Sequence, residues 1–200
     1  MNVAIIILAA GKSSRMGVPK QALEINGKSL IKTVIDTALE TKCYPITVVV
    51  GANKSAFVSE LEPMPVTLID NPNWEKGMGT SIKMGLVGAF MVEKNFEAVI
   101  VLTVDMPFVT TSLINELIEK AADESVKIVA CRYGESGGIP ALFKRDILTD
   151  ILELDDAEGA KSVILKHKTE TAWVDFPNGN IDLDTPTDLR KYLASQTNSN

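Results

Sequence analysis

"VAIIILAAGKSSRMGVPK", residues 3–20, decides how the rest of the chain is read. Its first seven residues are apolar without interruption and rich in β-branched side chains. A run this short reads as a strand covered on both faces rather than as a helix. The residues that follow are small or cationic. The first Asp or Glu is Glu24, although the chain holds 26 acidic residues against 20 basic ones. A locally positive loop on an acidic chain calls for an anion.

Further apolar runs stand at 46–51, 65–70, 97–105 and 126–131, with helix patterns between them at 29–41, 53–61, 79–92 and 111–122. This alternation predicts an α/β domain with a mostly parallel sheet. In the last quarter, "SGGIPALF" reads as a glycine turn feeding a short strand, followed by helices near 144–153 and 157–167 and a strand near 171–175. Thr185, Pro186 and Asp188 have the form of a helix cap, a first-turn proline and an acid three residues after the cap. We expect one domain over 1–194 and a flexible tail over 195–200.

The net charge of -6 argues against a nucleic-acid partner, which wants Lys and Arg spread over a face. Cys43 and Cys131 make no ligand spacing with each other or with His167, the single histidine. They read as reduced thiols of a cytoplasmic protein. His167, in a polar stretch, reads as a solvated surface residue. The cations at Lys12, Arg15 and Lys20 follow the first apolar run instead of preceding it, unlike a signal peptide. No run approaches the roughly 20 apolar residues that span a bilayer, so no membrane partner is expected.

In open α/β sheets ligands bind beyond the carboxyl ends of the strands, where this loop begins. Ala9, Ala10 and Gly11 let a ligand approach the backbone, and successive free N–H groups there make an anion cradle. Arg15 and Lys20 add charge-assisted bonds to a phosphate. The spacing fits neither a P-loop, where Met16 stands for the second glycine, nor a dinucleotide fingerprint, which fails at Ser13. A glycine turn with solvated cations explains any one of these residues. Their combination favours phosphate.

The stretch "LAAGKSSRMGVPK" resembles the signature L-[AG]-[AG]-G-x-S-x-R-M-G-x-x-K of the nucleotidyltransferases that attach a nucleotide to molybdopterin. The shared positions include Leu8, Gly11, Ser13, Arg15, Met16, Gly17 and Lys20. "NPNWEKGMGTSI" (71–82), "TVDMPFV" (103–109), "GGIPALF" (137–143) and "DLDTPTDL" (182–189) extend the resemblance over nearly the whole chain. "LAAG" is similar to the cytidylyltransferase branch, whereas the guanylyltransferase branch carries a second glycine where Ala10 stands. One departure is Lys161 in "DDAEGAK", where the cytidylyl branch has arginine.

The resemblance implies a three-layer α/β/α, Rossmann-like nucleotidyltransferase fold with a mostly parallel mixed sheet. It implies magnesium-dependent transfer of CMP from CTP to the terminal phosphate of molybdopterin or its molybdenum form, releasing pyrophosphate. Arg15, Lys20 and Asp105 would be catalytic, and Leu8, Ala9, Ala10, Gly11, Ser13 and Gly17 would bind the nucleotide. Gly77 and Gly79 would give access to the base, with Thr80 and Ser81 either supplying hydroxyls or capping a helix, and Trp74 shielding the nucleotide. Trp173 reads as packing. Asp105 in D-M-P would hold Mg2+, leaving Thr111 and Ser112 to cap the next helix. Asp184 would be the second ligand, with Asp182, on the same face of a strand, in reserve. Gly137, Gly138 and Pro140 would border the acceptor. The rival readings are a guanylyltransferase using GTP, a transferase acting on a sugar or choline phosphate, and a non-catalytic escort delivering the cofactor to a molybdenum hydroxylase.

Overall fold

The computed structural model describes residues 1–13, 16–25, 27–134 and 136–197. Nine strands are present among them: β1 (Val3–Ala9), β2 (Glu24–Ile25), β3 (Lys28–Ser29), β4 (Ile46–Val50), β5 (Thr67–Asp70), β6 (Ala98–Thr103), β7 (Ile128–Tyr133), β8 (Ser136–Lys144) and β9 (Thr171–Asp175). The helices are α1 (Leu30–Leu39), α2 (Val58–Leu61), α3 (Met78–Val92), α4 (Thr111–Lys120), α5 (Leu148–Leu152), α6 (Ala160–Lys166) and α7 (Pro186–Thr197).

Seven strands form one sheet in the order β5-β4-β1-β6-β8-β7-β9, and β2 and β3 pair as a small separate hairpin. β4 and β6 both run parallel to β1, one on each side. The chain therefore leaves β1 in one direction and returns on its other side, which puts a topological switch point at the carboxyl ends of β1 and β6. β8 alone runs antiparallel, to both β6 and β7. The architecture is a mostly parallel mixed sheet between two helical layers.

All seven residues of β1 are buried. Val3, Ile5, Ile7 and Ala9 enter a core with α1 and α4, while Ala4, Ile6, Leu8 and Ala10 enter a second core with α3, α5 and α6. Burial on both faces is why the run is apolar throughout, and each large side chain so buried contributes about 1.5–3 kcal/mol. α3 lies close on the sheet because a Cβ on Gly85 would come within 2.3 Å of the Ile6 side chain, and one on Gly88 within 2.6 Å of Ile69. That close approach brings the first turn of α3 to the carboxyl end of β1.

Several local details differ from the sequence reading. "SGGIPALF" lies wholly within strand β8, whose glycines pack against side chains on β7 and β9 rather than making a turn. The helix expected over 53–61 divides into a 3-10 turn, Lys54–Ala56, and the short α2. Thr110, not Thr111 or Ser112, caps α4 by accepting from the Leu113 N–H at 3.2 Å. His167 is largely enclosed, between Asp150 on α5 (2.5 Å) and Glu170 (3.0 Å). Asp150 also pairs with Lys166 and Glu170 with Lys127, so His167 sits inside a cluster of charges rather than alone in solvent.

Cys43 and Cys131 are free and buried, and the Cys131 thiol is pushed up to about 12 by burial and then by the Glu116 charge. The final helix begins as its cap motif predicts, with Thr185 and Asp188 hydrogen-bonding reciprocally. It runs through Thr197, three residues into the expected tail; 198–200 lie outside the described residues. Among the described residues, no helix is long and apolar enough to cross a membrane.

Candidate active site

A cleft of about 270 Å³ opens at the switch point, lined by Leu8 to Gly11 after β1, Lys20 and Gln21, Trp74, Gly77, Met78 and Ser81 at the start of α3, and Thr103 to Asp105 after β6. At its floor the Lys20 ammonium donates to Asp105 Oδ2 (2.9 Å) and to Asp184 Oδ1 (2.6 Å). These three residues are 85 and 164 positions apart in sequence, yet one cation holds both carboxylates. The Asp105 carbonyl also accepts from the Leu183 N–H at 3.0 Å, which ties the segment bearing Asp184 to the end of β6. Residues 181–184 are not a strand. Asp184 meets Lys20, whereas Asp182 lines a neighbouring cleft.

Burial alone would lower the Lys20 pKa and raise that of Asp105. Each is overruled by the opposite charge beside it, so Lys20 is held up and Asp105 down. Both stay charged through the neutral range. The side chains are only 13% and 26% exposed, so the attraction is weakly screened.

The loop after β1 is fixed by Gln21, which sequence reasoning overlooked. Its buried side chain donates to the carbonyls of Ala9 and Gly11, at 2.8 Å each, and accepts from Ser13 Oγ at 3.3 Å. Ser13 adopts φ 57, and its Oγ accepts from the Lys20 N–H at 3.1 Å. Gly17 follows at φ 73, a left-handed conformation that suits glycine. Arg15, with Ser14, lies outside the described residues.

Across the cleft, Gly77 and Gly79 pack against the backbone of the 155–158 loop. A Cβ on Gly79 would stand 2.3 Å from the Asp155 carbonyl, and the Gly79 N–H donates to Asp156 O at 3.1 Å. Thr80 and Ser81 are buried, and their hydroxyls accept from Asn71 Nδ2 at 2.9 and 3.0 Å. Thr80 also donates to the Gly77 carbonyl at 2.8 Å. Asn71, fully enclosed, organises this turn; it opens the 71–82 stretch, but no role was assigned to it there.

A second cleft of about 480 Å³ adjoins the first and shares Met78, Thr103 and Asp105 with it. Met106, Tyr133, Gly134, Ser136, Ile139, Gly179, Asn180 and Asp182 line the remainder. Gly137, Gly138 and Pro140 belong to β8 beside this cleft. A Cβ on Gly137 would meet the Trp173 ring at 2.3 Å, and one on Gly138 would meet the Tyr133 hydroxyl at 2.7 Å. These glycines let Trp173 and Tyr133 pack down, and Tyr133 Oη in turn donates to Ile139 O at 3.3 Å. The arrangement can hold two ligands side by side, with Lys20 and two carboxylates at their junction.

Bifunctional protein GlmU of Coxiella burnetii (strain RSA 493 / Nine Mile phase I) is 26% identical to this chain, spanning 100% of it and 42% of that protein. The chain covers about half, or less, of the first curated relatives it matches. Two solved structures share the fold. Rv0371C in complex with manganese, from Mycobacterium tuberculosis H37Rv, superposes with a TM-score of 0.76 at 21% identity, covering 98% of this chain and 100% of that one. Molybdopterin-guanine dinucleotide biosynthesis protein A from Archaeoglobus fulgidus does so with a TM-score of 0.71 at 16% identity, covering 96% and 99%. The match to a family, over residues 5–171, runs from within β1 through β8 to the first residue of β9, and by it the chain belongs to the MobA-like NTP transferase domain family.

Proposed function

We propose that this nucleotidyltransferase domain transfers CMP from CTP to the terminal phosphate of molybdopterin, in its metal-free or molybdenum form. The observation that carries the reading is the Lys20, Asp105 and Asp184 group at the junction of two clefts, since Asp105 borders both. The triphosphate lies along the loop from Ala9 to Gly17, with Lys20 and Arg15 as its cations. The acceptor enters the second cleft beside Tyr133 and Asp182.

A phosphomonoester has a second pKa near 6 and is mostly dianionic at neutral pH, so the attacking oxygen needs no general base. The chain's work is to align that oxygen with the α-phosphorus, opposite the departing pyrophosphate, and to neutralise charge. Asp105 and Asp184 fit a hard divalent cation. Both are carboxylates, and the ammonium between them already occupies a cation's position. Magnesium is held by one or two carboxylates and completes its shell with phosphate and water, which this pair would allow. Magnesium held there would supply charge neutralisation for the triphosphate.

Ala10 favours cytosine. Its side chain is buried in the cleft wall against Gly51, where a glycine would leave more room. GTP is the second reading, supported by the likeness to the Archaeoglobus guanine dinucleotide protein. The test is pyrophosphate release with magnesium and molybdopterin, offering CTP, GTP, ATP and UTP separately. Release with CTP is expected. Release with GTP alone moves the assignment to guanylyl transfer, and tight dinucleotide binding without any release replaces the enzyme with an escort.

A further inference from the structure

We propose that Gln21 positions the anion-binding loop, its side-chain amide turning two carbonyls aside so that the loop's N–H groups are free for a phosphate chain. The inference rests on the nucleotide reading of this cleft. Gln21 is 2% exposed, an unusual place for a glutamine, and buried polar groups of this kind are retained where their bonds are made. Its two donated bonds, to Ala9 O and Gly11 O, are both 2.8 Å. In a trans peptide the C=O and the following N–H point in opposite directions. Fixing those two carbonyls therefore aims the N–H groups of Ala10 and Lys12 away from Gln21. The Ala10 carbonyl accepts from the Ala52 N–H at 3.0 Å, which sets the Gly11 N–H in the same manner.

None of these three N–H groups has a hydrogen-bond partner among the described residues. Ala10 and Gly11, which carry two of them, line the cleft, with Lys12 next along the chain, and consecutive free N–H groups form an anion nest. The same amide is oriented by Ser13, whose hydroxyl also receives the Lys20 N–H. Gln21 thus places both the neutral N–H donors and the segment that carries the charged one. Only a carboxamide suits the position. The isosteric glutamate is acceptor-only when ionised and would oppose both carbonyls, and methionine fills the space without donating.

The test titrates inorganic tripolyphosphate, CTP and cytidine into the full chain, wild type and Gln21→Met, with thermal melts to confirm folding. Tripolyphosphate and CTP are expected to weaken about ten- to hundredfold in Gln21→Met, the scale of one or two lost bonds to a charged group, while cytidine changes less than about threefold. A variant that binds tripolyphosphate as tightly as wild type overturns the inference. So does one that loses cytidine and tripolyphosphate equally, because general loosening would do that. If Gln21→Met does not fold, Ser13→Ala decides, with about three- to tenfold weaker tripolyphosphate expected from one weakened bond. Unchanged binding in that variant overturns the proposal. Wild type that binds no tripolyphosphate overturns the nucleotide reading and the inference together, whereas normal wild-type binding with an unaffected variant overturns the inference alone.

Discussion

On the wall of the cleft formed by β1 and β6, the working residues are held by charge and directed hydrogen bonds: Lys20 between two carboxylates, and Gln21 between two carbonyls. On the wall formed by β7 and β8, position is set by absent atoms. Gly137 makes room for Trp173, and Gly138 for the Tyr133 hydroxyl. On the proposed function, the first wall would meet a ligand of fixed chemistry, a chain of phosphates, for which a few strong donors suffice. The second needs a shape, and shape is made by packing. Substitutions should therefore fail differently on the two sides.

The largest effect expected is from Lys20→Met, which should lower the rate of pyrophosphate release about a hundredfold or more, the scale seen when one preorganised donor to a developing charge is removed. Equal rates for variant and wild type would break the comparison at its charged wall. Gly137→Ala should act through folding instead, because its methyl must displace the Trp173 ring and the Cys131 carbonyl. Overpacking of this sort costs about 1–3 kcal/mol, read as a lower unfolding midpoint in denaturant. Tripolyphosphate binding by the folded fraction should stay as in wild type.

Acidity sharpens the contrast further. The Asp105 pKa is depressed in the folded chain, so its contribution is present above the ordinary carboxylate pKa and is lost as pH falls through the folded value. The Lys20 pKa is raised, so its contribution is present below the ordinary lysine value and is lost as pH rises through the folded one. Melts in chelator should show loss of stability at both extremes, and Lys20→Met should flatten both slopes. Slopes identical to wild type would contradict the pairing. The smallest effect is expected from Thr110→Ala, which removes the α4 cap, lines neither cleft and should cost about 1 kcal/mol. It should leave the magnesium dependence of turnover as it was.

Much of the main sheet was legible because burial on both faces leaves a plain mark, an apolar run, and β1, β4, β6 and β7 lie where such runs stand. α7 was equally readable, since its capping group is local in sequence. β8 was not. Glycines signal turns when read locally, and here they answer to Trp173 and Tyr133, which only the folded sheet brings near. His167 was misread for the same reason, its carboxylate neighbours coming partly from another helix. Within the site, Lys20 and Asp105 stood out by type and place, but their contact across 85 residues could not be seen in the chain. The roles of Gln21 and Asn71 went unread because a buried amide is recognised by what surrounds it.

The double burial of β1 has a consequence for how its alignment is kept. In a strand with one wet face, a slip of one residue is punished by polarity, because apolar groups turn outward. β1 has no wet face, so hydrophobicity is blind to such a slip. What detects it is size. The side facing α3 offers Gly85 opposite Ile6, while the other side presents its own helices to Ile5 and Ile7. Fit alone thus indexes the strand, and with it the position at which Ala10 and Gly11 emerge into the cleft.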